Sequence, residues 1–304
     1  MSGDVIARPD DASTEISNLV TARRRRGANV LNVFMENKLA VAGFVVIVVI
    51  VLFCFIGPVI YHTDQVSSDL TIANSSPSTH HILGTDNVGY DELGRLMVGG
   101  QTSLEIGFVA AMLAGLFGVL WGAVSGYFGG IIDSFMMRIV DALLSIPVLF
   151  VLLLMSAIVT VNQFNLTLIV AFFAWLVPAR LIRGETLTLR TREYVQAVKG
   201  MGGGASRSIF THIIPNAIGT IVVNITFQVA DAILALAALG YLGFGLPPPA
   251  ANWGAMLSQG VSYLYAGEWW LIYPVGGLII LTVMALNLVG DALRDSFDVR
   301  LQKR

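Results

Sequence analysis

Charge is the scarcest ingredient of this sequence. Asp, Glu, Lys and Arg make up 12% of its 304 residues, about half the share usual in soluble domains. So few polar groups could not cover a soluble globule of this length, and a soluble fold is excluded. Lysine occurs only as Lys38, Lys199 and Lys303, and none of the three follows a glycine. The phosphate-cradling GxxxxGK[ST] loop is therefore absent, and the chain is not itself expected to be an ATPase. Cysteine occurs once, as Cys54 within an apolar run, which excludes an internal disulfide or a thiolate metal site. Neither HExxH nor GxSxG is present, so an enzyme reading has no motif to stand on. His80 and His81 are adjacent, but no further ligand stands at metal spacing, and no metal site or cofactor is expected in this chain.

Apolar residues make up 55% of the chain, and they fall into runs that organise it. Residues 1–36 read as a polar tail ending near the Arg23–Arg26 cluster, which suits anionic lipid headgroups. A secretory or twin-arginine signal fits less well, because the following run is too long and no small-x-small cleavage site follows it. Residues 37–301 read as one transmembrane domain, an all-α membrane protein with spans at about 39–60, 104–130, 140–160, 166–182, 217–240 and 269–290. A polar loop follows the first span, with a short helix expected at Asp91–Met97. Residues 142–179 carry no charge and divide at the polar turn Asn162–Asn165, while Pro147 and Pro178 are expected to kink or end their helices. Leu246–Glu268 reads as a loop, Trp269–Trp270 as the interfacial start of the last span, and that span ends near Gly290.

Gly118, Gly122, Gly126 and Gly130 recur every fourth residue and form one helix stripe. Such a stripe serves close packing either within the chain or against a second membrane subunit. An ionisable residue within a span is a functional candidate, because charge in hydrocarbon is costly. Asp231 is the foremost, either facing a watery path or making a structural hydrogen bond. Asp141 lies near the start of the third span, with Arg138 one turn away as its expected partner.

The chain's polar island is Glu193–Asn216. Val195, Val198 and Met201 give its first part an apolar helical face, and Gly202–Gly204 break that helix because glycine enters left-handed geometry freely. A second short amphipathic turn runs from Ala205 to His212, and Pro215 stands where the next helix would begin. Two short helices between two spans make a projecting knob suited to a partner's cleft. With six spans, Arg8, Arg23–Arg26, Lys38, Arg138, Arg180, Arg183, Arg190, Arg192, Lys199, Arg207, Arg294, Arg300, Lys303 and Arg304 share one side, and only Arg95 takes the other. The positive-inside rule then puts both termini and the knob in the cytoplasm.

The knob resembles the cytoplasmic loop of bacterial ABC importer permeases, E-A-A, three residues, Gly, nine residues, I-x-L-P. Here that pattern falls on Gln196, Ala197, Val198, Gly202, His212, Ile214 and Pro215. HILGTDNVGYDELGRLMVGGQTSL from His81, MRIVDALLSIP from Met137, YLGFGLPPPAANWGAML from Tyr241 and GDALRDSFDVRL near the end are similar to the second permease subunit of the dipeptide/oligopeptide branch. The resemblance implies the six-helix type I importer permease fold, with ATPase coupling through Glu193, Gln196, Ala197, Gly202, Ser206 and Pro215. It implies a second, homologous permease subunit, two ATPase subunits that bind ATP and Mg, and an extracytoplasmic peptide-binding protein in a prokaryotic cytoplasmic membrane; nucleic acid has no part. Members of the branch carry dipeptides, longer peptides, nickel chelates or glutathione. A secondary transporter or channel is the rival class. Three departures stand out. Gln196 and Val198 replace the usual Glu and Ala, Tyr90 stands where arginine is common, and Leu236 stands where a glutamate is frequent. Five residues turn a helix by about 140°, so Asp231 cannot inherit the role of that glutamate.

Overall fold

Asn37 opens the first long helix. Its side-chain oxygen accepts from the backbone N–H groups of Leu39 and Ala40, two of the donors that a helix start leaves unpaired. The computed structural model describes residues 33–302, so most of the expected tail and its arginine cluster lie outside the described residues. Helix α1 (Lys38–Ile60) ends at Tyr61. A looped segment, residues 61–91, leads to α2 (Glu92–Phe128), and Gly129 turns the chain into α3 (Gly130–Leu144). Then come α4 (Val148–Ile158), α5 (Gln163–Ala174) and α6 (Leu176–Leu189). The knob begins with α7 (Glu193–Gly200) and leads into α8 (Ile218–Leu239). Two further helices complete the chain, α9 (Trp253–Tyr263) and α10 (Tyr273–Gln302). No strand occurs among the described residues, only an isolated bridge between Thr85 and Asp91. The protein is an all-α membrane protein with five helical segments long and apolar enough to cross a bilayer, or six if the bent pair α3–α4 counts as one.

Several expected boundaries move. The separate helix at Asp91–Met97 is the first turns of α2, because the Asp91 carboxylate caps that helix through Gly94 N–H (2.8 Å) and nothing interrupts it for 37 residues. The helix stops at Phe128, where Gly129 (φ +66°) and Gly130 (φ +55°) take left-handed geometry, so Gly130 leaves the stripe. The third span is not straight. α3 and α4 meet at 80° across Ser145–Pro147, where proline withholds an N–H from the ladder. The expected interruption at Pro178 is present, since the helix breaks at Trp175, Pro178 stands in the first turn of α6, and the segment then continues through Arg180 and Arg183 to Leu189. The region 246–268 holds α9, with Trp253 fully buried and its indole N–H on Leu96 O (3.0 Å). Tryptophans 269 and 270 form a separate 3₁₀ turn before α10, which runs past Gly290 because no breaker follows that glycine.

α2 is the central rod, packed by α1, α5, α6 and α8. The glycine stripe resolves in favour of packing within the chain. A Cβ at Gly118 would meet Trp175 O at 2.7 Å, and one at Gly122 would meet Ala179 O at 2.3 Å. At Gly126 it would meet Thr186 Cβ at 2.8 Å, so all three face α6 and let its backbone approach closely. Cys54 is fully buried, with its sulfur beside Gly100, as a small apolar side chain should be. Apolar clusters divide along this rod: one around Trp253, one around Leu166 and Leu176, and one beneath the knob.

The segment 61–91 is stitched by polar contacts. His81 Nδ1 lies 2.9 Å from Asp91 Oδ2, which also accepts from the Tyr61 hydroxyl at 2.9 Å. Burial first, and then the Asp91 carboxylate, push the Tyr61 phenol above its ordinary pKa. Arg95, expected as the one cation on this side, is buried. It donates to Pro249 O (2.8 Å), and its guanidinium stacks 4.3 Å from the Tyr90 ring centre. Tyr90 also donates to Val66 O, 3.0 Å away.

Candidate functional site

The knob is built on a helix with one buried and one open face. Val195 and Val198 are buried, while Glu193, Tyr194, Gln196, Ala197 and Met201 stay open. α7 then ends in a paired C-cap: Gly203 N–H donates to Val198 O (2.8 Å) and Gly202 N–H to Lys199 O (3.0 Å). That arrangement needs a left-handed residue at Gly202, whose φ is +80°. No atom lies within 4 Å of where a Gly202 Cβ would stand, so backbone conformation alone requires glycine there. At Gly203 the demand is steric, since a Cβ would lie 2.4 Å from Val198 Cγ1.

The second arm runs through Ala205–Arg207, a wider π-helical turn at Ser208–Ile213, and a last turn at Ile214–Asn216. The wide turn directly precedes Pro215, whose ring would otherwise crowd the carbonyl four residues back. Pro215 sits in the first turn of the short helix Ile214–Asn216, as expected of a helix start, and the next span follows from Ile218, one residue from the expected boundary. Ile209 and Ile213 are buried with Ile182, Leu189 and Ile221, which seats this arm on α6 and α8. The two arms face each other through Tyr194 and His212, ring centres 6.2 Å apart.

Of the expected coupling residues, Glu193, Gln196, Ala197, Gly202, Ser206 and Pro215 are all exposed on this knob. Gln196 has an internal task as well. Its amide donates to Arg190 O (2.7 Å), which a glutamate could not do, so the replacement exchanges an available carboxylate for a brace across the loop's entrance. Large apolar side chains also stand out from the knob, with Met201 79% and Phe210 57% exposed. Phe210 had not been singled out, although its exposure follows from the helical period of the second arm.

The polar frame that holds the knob was not legible beforehand. Asp141 pairs with Arg180 of α6 (2.5 Å) rather than with Arg138, because α3 lies against α6 and carries Asp141 there. Asp133 receives a two-pronged bond from Arg183, Nε at 2.5 Å and a terminal nitrogen at 2.7 Å, and accepts from Ser125 as well. Arg190 donates to Gly126 O (2.9 Å) at the end of α2, where a cation complements the helix dipole. No sequence spacing announces the three arginine contacts, since their partners lie 39 to 64 residues apart.

Asp231 lies on the open face of α8, while Leu236 is buried. The two positions therefore face differently, as the helical turn between them requires. Glu105, a further carboxylate on an open face of α2, accepts from Gln163 Nε2 at 2.7 Å.

Comparison with known proteins agrees with this architecture. Residues 118–303 match the family described as binding-protein-dependent transport system inner membrane component. Residues 26–77 match the N-terminal transmembrane domain of oligopeptide transport permease C. The chain is 40% identical to the oligopeptide transport system permease protein OppC of Bacillus subtilis, over 89% of this chain and 88% of that one. It is 36% identical to the dipeptide transport system permease protein DppC of the same organism, over 88% and 84%. With OppC of Haemophilus influenzae it shares 35% identity, over 87% and 86%. A glycine-hinged loop between spans, carried on an all-helical membrane scaffold and matched at this length, identifies the chain as a member of the family of inner membrane components of binding-protein-dependent transport systems.

Proposed function

We propose that this chain is one permease subunit of an ATP-driven importer that carries di- or oligopeptides across the cytoplasmic membrane of a prokaryote. The observation that carries the proposal is the knob: an exposed, glycine-hinged projection whose buried residues root it in the spans and whose open face offers Tyr194, Met201 and Phe210. Such a shape suits insertion into a cleft on an ATPase subunit. The peptide substrate is supported by the names of the relatives and not by any pocket chemistry of this chain.

In this reading both termini and the knob are cytoplasmic, as the one-sided Lys and Arg distribution favours. A second, homologous permease completes the path, each permease engages one ATPase, and a peptide-binding protein delivers cargo to the outer mouth. ATP and Mg belong to the ATPases. ATP binding draws the ATPases together, and the two knobs move with them. The permease pair has two packings, and nucleotide shifts their populations because only one fits the closed ATPases. Moving such an equilibrium from 1:99 to 99:1 takes about 5.5 kcal/mol of differential binding, within reach of two ATP molecules. Asp231, on an open span face, is the chain's candidate for contact with a peptide's amino group.

The test is reconstitution in vesicles with the neighbouring permease, ATPases and binding protein. Peptide accumulation should require ATP and every component. Uptake at full rate by this chain alone, driven by a proton or sodium gradient, would refute the proposal.

A further inference from the structure

The reading above leaves open how motion of the knob reaches the outer mouth, and one side chain is placed to pass it on. Tyr127 occupies the last turn of α2 and is nearly buried. The ammonium of Lys199, on the first arm of the knob, lies 4.6 Å from its ring centre. The Tyr127 hydroxyl donates to Ser208 Oγ (3.3 Å) on the second arm, and Ser208 donates in turn to Gly204 O (3.3 Å), within the glycine hinge. One residue of α2 thus touches both arms and, through one hydroxyl, the hinge between them. Arg190, at the entrance to the knob, holds the carbonyl of Gly126 beside it.

The rod to which Tyr127 belongs is 37 residues long, about 55 Å at helical rise. Its far end is fastened just as firmly. Asp91 caps it, Arg95 reaches Pro249 O, and the Trp253 indole holds Leu96 O. A helix tied at both ends moves as a body, because its interior is close-packed and cannot absorb a displacement gradually.

We infer that Tyr127 is the joint through which the knob drives α2, so that a displacement imposed on the knob by the ATPases is delivered to the outer segment, residues 61–91. It is a positioning residue: it touches neither nucleotide nor cargo. The inference rests on the importer reading and adds to it a specific transmission element.

The experiment uses the full complex in lipid nanodiscs in a Cys54→Ala background. Environment-sensitive fluorophores are attached at Thr211→Cys on the knob or at Ser76→Cys on the outer segment. In the parent complex, ATP with Mg should change both signals. In Tyr127→Leu the knob signal should persist while the outer signal falls about tenfold, a size consistent with losing one cation–π contact and one hydrogen bond. Tyr127→Phe keeps the ring beneath Lys199 and should retain part of the outer signal. Lys199→Gln should lower the outer signal alone but add nothing to Tyr127→Leu, since both remove the same contact. An unchanged outer signal in Tyr127→Leu overturns the inference, as does loss of both signals in Tyr127→Leu and Tyr127→Phe alike, which would make the residue a matter of assembly. Silence of both reporters in the parent complex would instead overturn the importer reading beneath it.

Discussion

Gln196 shows how little a motif letter says about a side chain's task. A glutamate there would set a carboxylate against Arg190 O, whereas glutamine donates to it at 2.7 Å. Gln196→Glu should weaken the first arm by about 1 kcal/mol, the worth of one hydrogen bond, read as faster amide exchange across Glu193–Gly200. Gly202 is constrained differently. With φ at +80° and open space around its missing Cβ, only backbone conformation is at stake. Gly202→Val should leave membrane insertion intact and uncouple ATP hydrolysis from peptide uptake, measured side by side in reconstituted vesicles. Full uptake in that variant would count against a fixed hinge angle. Asp133 is buried and held by Arg183 and Ser125. Asp133→Ala leaves that guanidinium without its partner. Because Arg183 is one-third exposed, the cost should be about 1–3 kcal/mol, below that of a fully buried pair, seen as a lower unfolding temperature in detergent.

Among elements, the seam between α2 and α6 sets the spacing of the bundle. Gly118, Gly122 and Gly126 let the two backbones meet, and α6 then presents Arg180 and Arg183 to the carboxylates of α3. Gly122→Ala, with its new Cβ at 2.3 Å from a backbone oxygen, should destabilise by about 1–3 kcal/mol. Gly184→Ala, on the same α6 helix but with nothing within 4 Å, should be neutral or slightly stabilising. Equal melting of the two variants would remove the seam's special standing. The bend between α3 and α4 belongs to this scale as well. Pro147 announced a kink, and the structure adds its 80° size and the pairing of α3 with α6 through Asp133 and Asp141.

At the scale of the whole molecule, the orientation proposed from the Lys and Arg distribution has a direct check. A cysteine at Ser206 should react with an impermeant thiol reagent only in inverted vesicles, and one at Ser76 only in intact cells; the reverse pattern would turn the scheme over. The sequence by itself determined that this chain lives in a bilayer, roughly where it crosses, and that Gly202 breaks a polar loop. Those properties are local: apolar runs of spanning length, a glycine's left-handed freedom and the side preference of cations are all read within a few residues. Partnership was decided only by the tertiary structure. It gave Asp141 to Arg180 instead of Arg138, put Tyr127 under Lys199, buried Arg95 and turned a presumed loop into α9 around Trp253. Such pairings join residues far apart in the chain, and they exist only because close helix packing brings those faces together in space.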